Sequence, residues 1–341
     1  LRARFVLATV FLFLVSCGTA HAVSDQSVDI EADRLKGSRG PEGEIVQLEG
    51  NVVLRRGTTT VKSDQGTWNK TLRLVTLTGN VHATDGTLEL TSNQAHYEES
   101  TDRLTVTGNV HVTDNQLDAH STDGSYDTEK HIAEMWGGVN GVEHNRKLRA
   151  DHVTYDKDHR FAIAEGNVWA TDSTGTLVLT ARHVEYDRDG QVARALGSPR
   201  LTRKDGNRQT LLMGDTLRLN TDARIAWADG HVHIVRDTLN AEADHAIYWD
   251  KENRGLLTGH PVAHTDEVTA TGDTIHVWTR DNEIERALAV GQARIDFTNA
   301  DTSSKGETNS LTAHRIEVYF SKERADSLHA SGDAENRYAG A

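Results

Sequence analysis

Ten glycines, Gly50, Gly79, Gly108, Gly137, Gly166, Gly197, Gly230, Gly259, Gly291 and Gly332, recur in one local context along the chain. The context is plainest in Leu77-Thr78-Gly79-Asn80-Val81 and Ala164-Glu165-Gly166-Asn167-Val168. Four successive spacings are 29 residues, and the later ones are 31, 33, 29, 32 and 41. A second motif, a small residue followed by a polar one, precedes each glycine, as in Ser63-Asp64, Ser92-Asn93, Ala150-Asp151 and Gly214-Asp215. A unit of this length cannot bury its apolar face alone and must stack on its neighbours, so periodicity constrains this chain more than its length of 341 residues does.

Within a unit the hydrophobic period is two, the period of a strand. Leu148 and Ala150 alternate, and then Val153 and Tyr155 alternate in the opposite parity; Phe161 and Ile163 alternate next, and parity changes again across Gly166-Asn167 before Val168 and Ala170. A change of parity with no change of buried face needs a bulge or corner. Each repeat is therefore predicted to be two bent strands. Glycine supplies the positive φ of one corner, at Gly50, Gly79, Gly108, Gly137, Gly166, Gly230 and Gly259, and the small residue of the second motif lets the arms approach closely. Short polar turns such as Asp127–Lys130 and Asp250–Asn253 require antiparallel neighbours. The expected fold is all-β and nearly free of helix: an elongated jellyroll of about ten two-strand repeats whose two sheets face each other across an apolar interior. Longer inserts at Leu201–Thr210 and Asp296–Ser310 are expected as surface loops, the second loosening the last repeat.

Leu148, Val153, Tyr155, Phe161, Ile163, Val168, Leu177 and Leu179 are expected to face that interior, with Thr154 and Ala162 outward. An open trough lined in this way suits a long apolar ligand. A filled interior makes a structural or adhesive scaffold instead. Trp68, Tyr97, Tyr126, Tyr155, Tyr186 and Tyr248 occupy one place in successive units, either as a cross-strand packing ladder or as a ring at the mouth of a trough.

A net charge of −14 argues against a phosphate-backbone partner, which needs clustered Lys and Arg, so no nucleic acid is expected. His152, His183 and His245 share one repeat position, but equivalents lie two strands, about 9.6 Å, apart. That is too far to share an ion, so neither a metal site nor a cofactor is expected. The corner carboxylates Asp33, Asp64, Asp151, Asp215, Asp244 and Asp273 recur too regularly for a catalytic pair and are expected to accept from backbone donors at the bends. With no nucleophile elbow, His-Glu-x-x-His or phosphate loop, the chain is not expected to be an enzyme. A carbohydrate-binding solenoid would carry outward aromatic platforms where these strands place Thr, Lys and Asp.

Residues 1–22 read as an export signal, with Arg2 and Arg4 ahead of an apolar stretch from Phe5 to Val15. Ala20-His21-Ala22 fits signal-peptidase cleavage, whereas Leu14-Val15-Ser16-Cys17 fits a lipobox that would acylate Cys17, the chain's one cysteine. The repeat domain is then 23–341.

The pairing of Ala150-Asp151-His152-Val153-Thr154-Tyr155 with Glu165-Gly166-Asn167-Val168 resembles the OstA-like family: LptA, the periplasmic part of LptC and the N-terminal domain of LptD. The resemblance runs from about Val28 to Gly332. It implies a twisted β-jellyroll in the periplasm, and a lipoprotein anchor at Cys17 would be a departure from the family pattern. The interior would receive acyl chains of lipopolysaccharide or a similar acylated lipid. The sheet edges would join other jellyroll components, or further copies of the chain, into a trans-periplasmic bridge. This chain has more repeats than a typical LptA.

Overall fold

The computed structural model describes residues 29–337 except 42, 57, 145, 207, 267, 281–282, 299–307 and 322–323. The export segment and Cys17 lie outside the described residues. Twenty-six strands form among those described, the pairings are antiparallel, and the helical element is a single 3-10 turn, Asp250–Glu252. The fold is an all-β jellyroll of bent, antiparallel two-strand repeats. Its packing divides into an N-terminal unit, 29–175 with 183–189, and a C-terminal unit, 176–182 with 190–337.

In the N-terminal unit, the strands Arg146–Asp156 and Phe161–Thr171 show how a repeat bends. His152 pairs with Glu165 and Arg149 with Trp169, so a step of three residues on one strand is matched by four on the other. The surplus is taken up at Gly166 (φ +70°) and Asn167 (φ +46°), both left-handed. The seven corner glycines named above have φ between +70° and +82°. The residue after each is left-handed too: Asn51, Asn80, Asn109, Gly138, Asn167, His231 and His260. Asparagine tolerates that region because its short amide can bond locally. Asn80 donates to Asp64 at 2.8 Å and Asn167 to Asp151 at 2.8 Å. The corner carboxylates thus accept mainly from a side chain across the bend, not from the backbone donors that sequence reasoning assigns them. Each also lies over its glycine, so that a Cβ on Gly166 would sit 2.2 Å from an Asp151 oxygen.

Across the strands of this unit, large and small side chains alternate on the inner face. Leu48 lies opposite Gly66, which lies opposite Leu77, which lies opposite Ala95. Further along, Met135 precedes Val153 and then Ala164. The alternation overturns one part of the sequence reading. Phe161 and Ile163 face outward and are half-buried, while Ala162 (1% exposed) and Ala164 (0%) point into the core. The cause is cross-strand volume: Tyr155 pairs with Ala162 and Val153 with Ala164, and there is no room for a second bulky row. Parity therefore does not change across Gly166-Asn167, since Val168 is four positions on from Ala164.

The C-terminal unit repeats the corners. Leu201–Thr210 is not a loop: strands Arg200–Asp205 and Arg208–Met213 pair from Arg200↔Met213 to Asp205↔Arg208, forming the second arm of an ordinary repeat. Its alternation, with Leu201 buried opposite Leu212, is that of a strand. The ends of the Asp296–Ser310 insert also belong to a ladder, which continues to Thr298↔Thr308, and 299–307 lie outside the described residues.

At two bends histidine replaces the left-handed asparagine. His231 bonds Asp215 at 2.9 Å, and that hydrogen bond followed by the carboxylate's charge raises the imidazole pKa above its ordinary value. A raised folded value means that the contact stabilises fully below the unfolded pKa and fades as pH rises through the folded one. His231 is fully exposed, so the effect on stability is small. An NMR titration should place His231 above free histidine, and Asp215→Asn should return it to the ordinary value; an unshifted His231 in the unmodified protein would exclude the bond.

Candidate functional site

The C-terminal unit contains an apolar cavity of about 230 Å³. One wall is an inner row in which Tyr248 pairs with Gly255, Gly255 with Val277 and Val277 with Ala287. The facing wall comes from the other arm of the same strands, where Ile234 pairs with Ala241, Ala241 with Ala263 and Ala263 with Ala270. The space follows from these residue types. Three alanines in succession face a row that itself holds Gly255 and Ala287, so the large-small alternation that fills the N-terminal unit is interrupted. Ile234, Tyr248, Val268 and Val277 on the walls are only half-buried, whereas Leu257 and Ile275, which also line the cavity, are buried (6% and 1% exposed). Arg236, Asp237 and Thr238 also line it. An apolar chamber of this kind, with a few polar groups among its walls, has the composition of a site that could accommodate an apolar group.

The sequence profile of the LptA/(LptD N-terminal domain) lipopolysaccharide transport proteins matches this chain over residues 60–161 and 147–283. The chain belongs to this family. No curated protein matches it. Among solved structures it is similar to LptH, the LptA-homologous periplasmic component of the lipopolysaccharide transport device of Pseudomonas aeruginosa. That match has 19% identity, covers 31% of this chain and 76% of the other, and has a TM-score of 0.29.

In this member of the LptA/LptD N-terminal family, the interior residues expected from sequence are mostly buried rather than exposed to an open channel. Leu148 (1%), Val153 (3%), Tyr155 (4%) and Val168 (2%) are core residues of the N-terminal unit. Leu177 and Leu179, in the C-terminal unit, are buried as well, and Leu179 pairs with Leu201. Phe161 and Ile163 are on the other face. Alternation of large residues does not reveal the cavity walls, whose sequence signal is a run of small residues on inward positions: Ala241, Gly255, Ala263 and Ala270.

The aromatic series is a cross-strand ladder in the N-terminal unit, where Trp68, Tyr97, Tyr126 and Tyr155 alternate with Val75, Leu104 and Ala133 along one inner row. Burial raises the Tyr186 hydroxyl to a pKa of about 12. Outward positions are not confined to Thr, Lys and Asp, since Trp169, Trp227 and Trp278 lie there. Each is covered by an arginine, with Arg149, Arg218 and Arg286 at 5.1, 4.2 and 3.7 Å from the ring centres, so none presents a bare platform. His152 and His183 are separated by a strand carrying Glu165, which approaches His183 at 3.3 Å and His152 at 3.8 Å.

Proposed function

We propose that this protein binds acyl chains of lipopolysaccharide, or of a similar acylated lipid, in the cavity of its C-terminal unit. It would act as a periplasmic station of a transport bridge, not as a catalyst. The family supports the transport role, and the observation that carries the binding reading is the cavity between the alanine-rich and Gly255-containing rows. An apolar cavity of about 150 Å³ is large enough for benzene, so about 230 Å³ accommodates a length of alkyl chain. Sheet edges supply the junctions: the strand Arg34–Gly40 is exposed along its whole length and pairs on one side with Gly43–Arg56, a geometry suited to strand addition by another jellyroll or a second copy. Acylation of Cys17 would tether the same domain to a membrane.

The scaffold reading is favoured for the N-terminal unit alone, where the inner rows interlock. A photo-crosslinking residue at Val277 or Ile234 is expected to capture acylated lipid in cells, while one at outward-facing Glu242 is not. Equal capture at all three positions, or none at any, would exclude the cavity as the binding site.

A further inference from the structure

We propose that His111, Asp118 and His120 form a surface site for a divalent transition-metal ion such as Zn²⁺ or Cu²⁺. His111 is on the strand Arg103–Thr113, and Asp118 and His120 are on the next, Leu117–Asp127. His111 and His120 are direct register partners. Asp118 precedes His120 by two residues and so shares its face. The objection that rules out the repeat-position histidines, a separation of two strands, does not apply to a pair on adjacent strands.

Three potential ligand atoms lie close together on this face. His111 Nε2 lies 3.2 Å and His120 Nε2 2.9 Å from the same Asp118 oxygen. One donor atom from each of the three residues lies within 4.8 Å of the others. Zinc bonds of about 2.0–2.2 Å at tetrahedral angles place donors about 3.4 Å apart, so the donor separations fit, and the two rings would turn out of their stack to aim their in-plane lone pairs at the ion. The two imidazole rings are stacked, with centres 4.0 Å apart and planes 11° from parallel. Two neutral imidazoles and a carboxylate are a donor set that such an ion takes, with a fourth position left for water.

The backbone beneath the site is fixed. Val112 and Ala119, on the opposite face of the same two strands, are buried to 3% and 0%. The connecting turn is locked by Asp114, whose Oδ1 accepts from the amides of Gln116 and Leu117 at 2.7 and 2.8 Å. Ligands on a rigid hairpin lose little freedom when an ion binds. A bound ion would clip the two strands together beside their turn.

The test is a calorimetric titration of the chelator-treated full chain with ZnCl₂, together with electron paramagnetic resonance of the Cu²⁺-loaded protein. One saturable equivalent is expected, with nitrogen hyperfine splitting from two imidazoles. His120→Gln, at an exposed position that leaves the fold intact, should abolish that equivalent. The control His231→Gln, which removes a histidine paired with a lone carboxylate, should retain it. No saturable equivalent in the unmodified protein, or one that survives His120→Gln, would overturn the proposal.

Discussion

Truncation of Leu148 to alanine is expected to lower the unfolding free energy by about 3 kcal/mol, within the range measured for buried leucines. Leu148 is 1% exposed, and its two cross-strand partners are Gly141 and Ala170. A large residue between two small ones fills volume for three strands, and neither neighbour has atoms with which to close the gap. The loss therefore includes both the transfer of the side chain and a persistent cavity. Denaturant unfolding followed by tryptophan fluorescence measures it. A loss below about 1 kcal/mol, as for a site that collapses freely, would show that the N-terminal interior is not closely packed. Because stacked repeats contact only their neighbours, the transition of the N-terminal unit should shift more than that of the C-terminal unit.

The second large effect is expected at a corner. Gly166→Ala combines two costs: a left-handed backbone at φ +70° and a Cβ placed 2.2 Å from an Asp151 oxygen. The torsion costs about 1–2 kcal/mol and the overlap about 1–3 kcal/mol, for a total of about 3 kcal/mol. A double-mutant cycle separates them. Adding Asp151→Gly, which removes the Asp151 Cβ that would lie 2.8 Å from the new methyl as well as the carboxylate, should recover the steric part and leave the torsional part, giving a coupling of about 1 kcal/mol or more. Gly175→Ala is the internal reference, because Gly175 has φ +71° with open space around its Cβ direction, so torsion alone should remain. Equal losses for Gly166→Ala and Gly175→Ala would mean that Asp151 yields freely.

The corners were legible because they are made by chemistry that leaves little choice. Glycine at φ near +75° and a small residue opposite it leave a visible period, and the carboxylate and amide that lock the bend sit at fixed offsets. The second left-handed residue was not anticipated, although asparagine or histidine after the glycine is its signature. Hydrophobicity taken residue by residue points Phe161 and Ile163 inward, whereas a sheet fills its interior by cross-strand pairs. Once Tyr155 points inward, its partner must be small, and Ala162 is the residue that fits. The same blindness hid the cavity, which is made by side chains too short to register as apolar signal. Leu201–Thr210 reads as a loop in sequence because polar residues outnumber apolar ones there, though Leu201 and Leu212 keep the strand's phase.

The surplus residue at every bend also governs how such a chain can change length. Loss or gain of one residue between corners inverts the facing of every side chain up to the next bend, turning an alanine-leucine row toward water and an arginine-tryptophan row toward the core. Removal of a whole 29-residue cassette, from one corner glycine such as Gly79 to the next at Gly108, deletes two strands and leaves each remaining row with partners of the same kind. Tandem duplication of such a cassette is correspondingly benign. Span in this architecture is thus inherited in discrete steps, and a longer member differs from a shorter one by the number of cassettes, with the design of each one unchanged.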